Sequence, residues 1–565
     1  MSLHPRTQYA MPAETARVAK ACLPHGHPYL RLYDELSPLF CDHDFTDLFP
    51  ARGQPAVAPG RLAIVTLLPF AERLPDRQAA DAVRRRIDWK YLRGLELTDP
   101  GFDPTILSEF RGRLVEHQAA SRLCDLVLER LQALGVLHAR GRQRSDSTHV
   151  LGAIRAINRL ELVGEAMRAA LNALAVAAPE WLRGHAQPEW VARYGPRVAQ
   201  ARPPESSTQQ QAYAEAIGAD GRVLLHAVYR AEAPPSLRTL PAVDMLRQIW
   251  VPNYLVHEDG RVTWRHNDNI PPAARFISSP YDLEAHYARQ YSIQWVGYTG
   301  HLTETCDDVT PPLITHVLTT TAPVDDSQAT ASIQAALETK GLLPQCHIVD
   351  AGYIDAERLA VSQCDYAIDL CGAVRGSVRW QAHTEGAFDL SYFVIDWEQQ
   401  RVTCPAGHTS LSWTPAVDNR DNDVINIKFA RGDCRDCPLR AQCTRTVRRT
   451  LTIRPREPHE ALRANRQRQP TPEFQAEQAR RWGIEGTLSY GIRLCGMRRA
   501  LYRPCENAPA AVCQCGCDEP RADSAVAQRG AAWSHASDPV SKAAIGSCSE
   551  AIWRSRLRQQ DQSCA

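Results

Sequence analysis

Four neighbouring stretches of the chain read WVGYTGHLTET (295–305), LITHVLTTTA (313–322), DDSQATASIQAALETKG (325–341) and CHIVDAGY (346–353). The first two are rich in β-branched and aromatic residues, which predicts a pair of strands. The third has an acidic start and a Gly stop, which is typical of a helix and here predicts a crossover helix. The fourth is a short apolar run, which indicates a buried strand. With SDSTHVLGAI (145–154) as an earlier strand, they predict an α/β core with a mixed sheet.

Two acidic residues lie at strand ends in this predicted sheet. We expect Asp146 to end the strand of SDSTHVLGAI, and Asp350 to end that of CHIVDAGY. Ligand and metal sites of open α/β sheets gather at that edge. An Asp after a strand is also a common turn former or helix cap, so position alone leaves both interpretations open.

A helix predicted from Pro472 to Tyr502 carries a third carboxylate. Arg481 and Glu485 are four residues apart and Arg493 follows eight residues later, so the three share one helix face. Together with two Asp side chains, Glu485 would complete an all-oxygen cage suited to Mg²⁺, while the arginines would meet phosphates. The alternative is a simple salt bridge on a solvent-exposed helix.

The overall composition is that of a soluble globular protein. The 565 residues are 44% hydrophobic and 23% charged, and a chain of this length is expected to form several domains. No stretch approaches the roughly 18 apolar residues of a membrane span, and the N-terminus lacks the apolar core of a signal peptide. We therefore expect a cytoplasmic, nucleoid-associated protein whose 18 cysteines are thiols or metal ligands.

Basic residues are concentrated toward the end of the chain, although its net charge is only +1. Residues 431–503 contain 17 Arg, no Lys and 7 Asp or Glu, a local net charge of +10. Such a segment is the electrostatic footprint expected of a phosphate-binding face. Charge alone is equally compatible with a solvated surface.

Residues 30–137 are predicted to form an all-helical domain that follows a flexible N-terminus, residues 1–29. RLAIVTLLPFAERL is apolar at helical spacing, and DRQAADAVRRRIDWKYLRGLEL is amphipathic. The second of these carries a basic face that either contacts DNA or is simply solvated, formed by Arg84, Arg85, Arg86, Lys90 and Arg93.

Long blocks of the sequence resemble bacterial insertion-sequence transposases of the DDE class. The resemblance runs in colinear order from about residue 30 to 503 and includes DPGFDPTILSEFRGRL, DSTHVLGAIRAINRLELVGEAMRAALNAL, WVGYTGHLTETCD, HIVDAGYIDAERL and RRWGIEGTLSYGIRLCGMRRALY. It implies a ribonuclease-H-like catalytic domain over residues 138–503, interrupted by insertions at 151–290 and 381–455. It also implies that the helical domain at 30–137 binds DNA.

The resemblance assigns roles to individual residues. The Asp of DSTHV, the Asp of VDAGY and the Glu of GIEGT are Asp146, Asp350 and Glu485, which would hold two Mg²⁺ or Mn²⁺ ions. The implied DNA-binding residues are Arg481, Arg493, Arg498 and Arg499.

The sequence departs from the family pattern at two positions near the Glu. Many relatives have a Tyr three residues before the Arg and a Lys seven residues after the Glu, where this chain has Gln478 and Ile492. The departure leaves the DNA contact of Arg493 open and does not touch the three carboxylates. Nearby, Asp355 is predicted to cap the following helix rather than to serve as a fourth ligand, and His149 to be structural.

Four cysteines in the second insertion form the pattern CPAGH…C-x2-C-x5-C, namely Cys404, Cys434, Cys437 and Cys443. Four thiolates suit a tetrahedral structural Zn²⁺. The first spacing is longer than in a standard zinc ribbon, and His408 is an alternative ligand. Ordinary buried thiols are the competing interpretation.

The chain changes character after Arg503. The last 62 residues hold six of the 18 cysteines and lack sustained apolar periodicity. Read one base later, permitted codons give PAKTHLQQSASAAAMNLERIARWLNE, which resembles the continuation of the family. We therefore predict that residues 504–565 are frameshifted and disordered, with a metal-binding tail as the alternative.

Together these features predict a transposase that binds the terminal inverted repeats of its own element. It would cut and join DNA and would work as at least a dimer, because two DNA ends must be joined. A decayed or repurposed copy that only binds DNA is the alternative, favoured by the foreign tail and opposed by the intact carboxylates. A metal-dependent nuclease without strand transfer would use the same site.

Overall fold

The computed structural model describes residues 2–494 and 497, except residues 7, 8, 73, 153–156, 196–205, 291, 309 and 311. The segment predicted to be frameshifted, 504–565, lies outside the described residues. Within them, the chain is a mixed α/β protein with a helical N-terminal region, as predicted. No helix in the described part is both long and apolar enough to cross a membrane.

The N-terminal region buries the apolar side of each helix around large side chains such as Phe45, Trp89 and Phe110. Its core is continuous with that of the α/β part, because Leu128 and Leu337 belong to the same buried cluster. The described helices before the first strand are α1 (Ala13–Cys22), α2 (Pro28–Leu36), α3 (Pro59–Glu72), α4 (Asp76–Arg85), α5 (Ile87–Leu92), α6 (Thr105–Glu116) and α7 (Arg122–Ala133).

The expected flexible N-terminus does not hold for α1. Ala19 of α1 is fully buried in a small cluster with Leu30 and Tyr91. The Thr15 hydroxyl, also buried, donates a hydrogen bond to the Leu95 carbonyl at 2.7 Å. These contacts are made with distant parts of the chain, so the local sequence gives little sign of them.

The predicted basic face is not one exposed surface. The chain leaves helical geometry at Arg86, between α4 and α5, so the face is interrupted there. Arg84 and Arg85 are exposed, whereas Lys90 and Arg93 are buried. Only part of the face is therefore free to contact DNA.

The central part of the chain contains the main sheet and a long helical excursion. The described elements are β1 (Arg142–Leu151), α8 (Arg159–Ala177), α9 (Pro179–Arg183), α10 (Pro188–Tyr194), α11 (Ser207–Val228), α12 (Pro241–Asn253), β2 (Tyr254–Val256), β3 (Val262–Trp264), β4 (His286–Gln290), β5 (Ile293–Thr305), β6 (Ile314–Thr321), α13 (Asp326–Thr339), β7 (Cys346–Ile348), α14 (Ala356–Tyr366) and β8 (Asp369–Cys371).

The main sheet has the order β6-β5-β1-β7-β8, with β4 paired to the start of β5. β5 is antiparallel to both β6 and β1, while β1, β7 and β8 run parallel. The predicted strand pair and the helix that follows it are confirmed as β5, β6 and α13. The helices and strands from α8 to β3 have a separate hydrophobic core built around residues such as Met167 and Leu246.

The remainder of the described chain holds a small β segment that includes two short helices, followed by three further helices. Its elements are β9 (Val394–Asp396), β10 (Arg401–Thr403), β11 (Ser412–Val417), β12 (Asp423–Lys428), α15 (Arg431–Arg435), α16 (Arg440–Cys443), β13 (Thr450–Ile453), α17 (Arg456–Arg468), α18 (Pro472–Ala479) and α19 (Gly483–Leu494). The single helix predicted from Pro472 is therefore divided, because a 3₁₀ turn at Arg480–Trp482 separates α18 from α19.

The sheet register brings Asp146 and Asp350 side by side. Arg144 of β1 pairs with Ile348 of β7, and each Asp lies two residues further along its own chain. The prediction that Asp146 ends a strand is wrong. β1 continues to Leu151 because β5 keeps pairing with it on the other side, as far as Gly297.

A buried polar cluster lies between the central strands. The Ser145 hydroxyl hydrogen-bonds with Thr303 Oγ1 at 2.6 Å and with His347 Nε2 at 2.7 Å. All three side chains are fully buried. Burial lowers the pKa of His347 to about 4, because the imidazolium form would have to be desolvated.

His347 should make the protein less stable in mild acid. The unfolded chain takes up a proton near the ordinary His pKa of about 6.5, whereas the folded chain resists it down to about 4. Stability therefore falls as the pH falls through this window. We expect His347→Gln to remove about 2 kcal/mol of the stability difference between pH 7 and pH 5, measured by urea unfolding. His43→Gln, at an exposed position, is the control; an unchanged pH dependence in His347→Gln would contradict the assignment.

Candidate active site

The two Asp side chains occupy different environments. Asp146 is largely buried, with a side chain 17% exposed, and accepts a hydrogen bond from the Ser147 amide at 2.8 Å. Asp350 is exposed and caps the short 3₁₀ turn that follows it, accepting from the Ala351 amide at 2.7 Å. Both carboxylates therefore lie where β7 ends beside the continuing β1.

The third predicted carboxylate, Glu485, lies in the first turn of α19 and is linked to Asp146 through Arg481. Arg481 Nη1 donates to Asp146 Oδ2 at 2.8 Å, and its Nη2 lies 3.6 Å from Glu485 Oε1. The Arg481 side chain is only 16% exposed. Its positive charge therefore lies between two carboxylates where little water reaches it. In this structure the predicted phosphate-binding Arg481 contacts Asp146 and lies beside Glu485.

The pKa of Asp146 responds to the other two carboxylates. Burial raises the pKa of Asp146, and the charges of Asp350 and Glu485 raise it further. The Ser147 amide and Arg481 act in the opposite direction. The charges of Asp350 and Glu485 thus act on Asp146, and the assignment of the three side chains to one metal site stays a prediction.

A fourth acidic residue at this site was missed by the sequence analysis. Burial raises the pKa of Asp326, the first residue of α13, to about 6, and Asp325, Asp146 and Asp350 add to the shift. Gly352 lies against it, since a Cβ at that position would come within 2.9 Å of Asp326 Oδ2. The sequence signal was the Asp325-Asp326 pair, which we interpreted only as the acidic start of a helix.

α19 is held against the sheet by a buried ion pair. Arg144 Nε donates to Glu304 Oε1 at 2.7 Å, and the same Arg donates from Nη1 to the Arg480 carbonyl. Thr487 of α19 donates to Glu304 Oε2 at 2.6 Å. Strands β1 and β5 thereby fix the helix that carries Glu485.

The two departures from the family pattern have structural roles. Gln478 Nε2 donates to the Val349 carbonyl at 3.1 Å, which docks α18 beside Asp350. Ile492 packs against the core formed by α19 and the sheet.

The remaining predicted site residues are more scattered. Arg493 is exposed in the last turn of α19, whereas Arg498 and Arg499 lie outside the described residues. Asp355 caps α14 by accepting from the Arg358 amide at 2.7 Å, which confirms the predicted cap. The predicted zinc ligands, Cys404, Cys434, Cys437 and Cys443, line one small cavity in the second insertion.

The donor set fits a hard divalent cation, although it is not yet arranged as a cage. Carboxylate oxygens are the ligands that Mg²⁺ prefers. In the described part of the chain, no three His, Cys, Asp or Glu side chains are placed as ready metal ligands. Because Arg481 neutralises Asp146, a cation bound here would take over part of the charge compensation that Arg481 now provides.

A second feature is a cleft of about 450 Å³ between the small β segment and α17. We call it the arginine cleft, because one acidic residue, Asp389, and five arginines line it: Arg379, Arg449, Arg454, Arg463 and Arg466. Arg449 is buried, and its Nε has no hydrogen-bond partner in the structure. The positive charge of this cleft is therefore only partly compensated within the described residues.

Two family models match the chain. Residues 17–113 match a transposase domain (DUF772), and residues 403–511 match a transposase DDE domain. These two matches support an insertion-sequence transposase of the DDE class. No curated protein and no solved structure matches it significantly.

The two matches leave the middle of the chain, residues 114–402, uncovered. The DDE match contains Glu485 and the four cysteines, but neither Asp146 nor Asp350. It ends at residue 511, beyond the position at which we predict a frameshift. The frameshift stays a prediction, since the coding DNA is what tests it.

Gly483 should be required for the docking of α19. A Cβ at Gly483 would come within 2.1 Å of Arg144 Nη1, whereas a Cβ at Gly486 would meet nothing within 4 Å. We expect Gly483→Ala to lower the melting temperature and to reduce DNA cleavage by roughly tenfold or more, because displaced catalytic groups lose rate steeply. Gly486→Ala, the matched control, should keep activity and stabilise the helix by up to about 1 kcal/mol. Equal behaviour of the two variants would rule out the close contact.

Proposed function

We propose that this transposase binds the terminal inverted repeats of its own element and carries out DNA strand cleavage and strand transfer. The observation that carries the proposal is the meeting of Asp146, Asp350 and Glu485 at one edge of the sheet. We further propose that the catalytic domain is ribonuclease-H-like. The strand order, with β6, β5 and β1 antiparallel and β7 and β8 parallel to β1, supports that fold.

Asp146, Asp350 and Glu485 are the residues that would hold two Mg²⁺ or Mn²⁺ ions. When bound, such ions activate an attacking oxygen and stabilise a leaving oxygen during in-line displacement at phosphorus. The protein itself positions the carboxylates that would hold these ions. The parallel register sets the two Asp side chains, and the Arg144–Glu304 pair sets the Glu helix.

Arg481 has a separate part in this proposal. In the protein alone it holds Asp146 and links it to Glu485, which limits repulsion among the acidic groups. Once a cation lowers the negative charge, the same guanidinium is positioned to bind a DNA phosphate at the site. It would then orient the scissile strand next to the carboxylates.

The arginine cleft is our candidate for contacts with the DNA backbone. Arg463 and Arg466 lie on exposed positions of α17, and Arg379 faces the same cleft. Their side chains can neutralise phosphates without reading sequence. Joining two ends also requires two catalytic sites, so we propose that the working complex contains at least two copies of the chain.

Asp146→Asn should abolish metal-dependent nicking of DNA that contains the element ends. We expect a loss of more than about 100-fold, because even the outer partners of metal ligands contribute about 10- to 100-fold. Binding of the same DNA should persist, as measured by gel shift. Asp355→Asn is the matched control, since Asn also caps helices and α14 should remain intact.

The outcome of this assay separates the competing functions. Cleavage by Asp146→Asn at the wild-type rate would contradict the proposed site. A wild-type chain that binds the ends but never cuts them would favour the decayed, DNA-binding copy. Cleavage without joined products would favour a nuclease without strand transfer.

The double variant Arg463→Gln/Arg466→Gln should weaken DNA binding uniformly across sequences. Each lost phosphate contact lowers the slope of log affinity against log salt by about 0.9, so we expect a decrease of about 2. Fluorescence anisotropy at several salt concentrations measures this slope. Arg420→Gln, at an exposed turn of the same β segment outside the cleft, is the control. An unchanged slope in the double variant would exclude the cleft from the interface.

A further inference from the structure

The β segment that carries the arginine cleft has few buried apolar residues for its size. Its buried core consists of Phe393, Val402, Ile427, Phe429, Leu451 and Ile453. Small domains of this kind usually need a disulfide or a metal ion to hold them together. The cysteines described in this segment are free thiols, and three of them pack against its core.

All four cysteines of the segment border the same cavity. Its volume is about 20 Å³, little more than the space of one water molecule. Cys404, Cys434, Cys437 and Cys443 line it together with His408 and Asp433. A space of this size accommodates a single ion, not an organic ligand.

The cysteines reach the cavity from separate elements. Cys404 follows β10 and begins a tight turn, in which the Gly407 amide donates to the Cys404 carbonyl at 2.9 Å and Gly407 has a φ of +85°. Cys434 lies in α15, Cys437 follows it, and Cys443 ends α16. An ion in the cavity would join the turn after β10 to both short helices.

Hydrogen-bond donors and one positive charge lie beside the sulfurs. The backbone amide of Arg449 donates to Cys434 Sγ at 3.4 Å. The Arg449 guanidinium donates to the Cys443 carbonyl at 2.9 Å, so its positive charge lies at the same cavity. Hydrogen bonds to sulfur and a nearby positive charge are typical of the outer shell of a metal–thiolate site.

We propose that Cys404, Cys434, Cys437 and Cys443 bind one structural Zn²⁺ ion. In the described part of the chain, these side chains line the cavity but do not yet form a ligand set, so they would move closer together on binding the ion. His408 is exposed, whereas the four cysteines are partly buried, so we assign the ion to the four thiolates. The proposal does not depend on catalysis at the carboxylates.

The zinc ion would also support the arginine cleft. Arg449 lines both the cysteine cavity and the cleft, and it lies between Cys434 and the core residue Phe393. Loss of the ion would free the segment around Arg449 and change the shape of the cleft. The site is therefore structural, with an indirect effect on the proposed DNA contact.

The zinc content of the purified full-length chain tests the proposal. We expect about one zinc ion per chain, lost in the double variant Cys434→Ser/Cys437→Ser. Cys364→Ser, at an exposed position in α14, should keep its zinc. A variant with Ser at Cys513, Cys515 and Cys517 should also keep it, which separates this site from the cysteines near the end of the chain.

Two further measurements do not require that the double variant folds. Cobalt added to the metal-free wild type should give the sulfur-to-metal absorption of a tetrahedral four-thiolate site. Zinc should also protect Cys404, Cys434, Cys437 and Cys443 from alkylation, and a chelator should remove the protection. The proposal is overturned if the wild type binds no zinc, if the double variant keeps its zinc, or if the cobalt spectrum lacks sulfur ligation. A cobalt spectrum typical of three sulfur ligands, which changes in His408→Ala, would overturn the four-cysteine set and indicate that His408 takes the place of one Cys.

Discussion

The buried ion pair between Arg144 and Glu304 is the constraint on which the candidate site depends. It joins neighbouring strands, and through the Arg480 carbonyl and Thr487 it fixes both the turn before α19 and α19 itself. Removing one partner of such a pair leaves an uncompensated buried charge, at a cost of about 3–5 kcal/mol. Gly483 belongs to the same arrangement, because the guanidinium of Arg144 lies where any side chain at that position would begin. The position of Glu485 thus depends on the Arg144–Glu304 ion pair of the two strands.

The carboxylates meet because two different geometries converge at one edge. The parallel register of β1 and β7 brings Asp146 and Asp350 to the same level along the two strands. Glu485 comes from α19, which is not part of the sheet. Negative charge gathered in this way has to be compensated, and Arg481 does so for Asp146 in the protein alone. Asp326 adds to the same charge from the start of α13. Arg481 therefore compensates only part of the negative charge of these four acidic residues.

Features with a local cause could be predicted from the sequence. The strand pair, the helix that follows it and the cap at Asp355 depend on residues close together in the chain, and these predictions are confirmed. Features with a distant cause could not. β1 extends past Asp146 because β5 pairs with it, α1 is ordered by contacts with α5, and Asp326 becomes part of the site only when the sheet forms. The three carboxylates were proposed from the resemblance, since their spacing alone left simpler interpretations open, and their role stays a prediction.

The same distinction applies to the concentration of arginine in residues 431–503. Several of these guanidinium groups are already committed to carboxylates: Arg468 binds Asp369, and Arg480 binds Asp308. Such residues stabilise the fold. They add little to the positive electrostatic potential at the surface, because a carboxylate at contact distance neutralises their charge. Arg463 and Arg466 instead face a cleft with one acidic side chain. Among the described residues, the arginines that face the cleft are therefore the better candidates for the proposed phosphate contacts, and a net charge of +10 alone does not identify them.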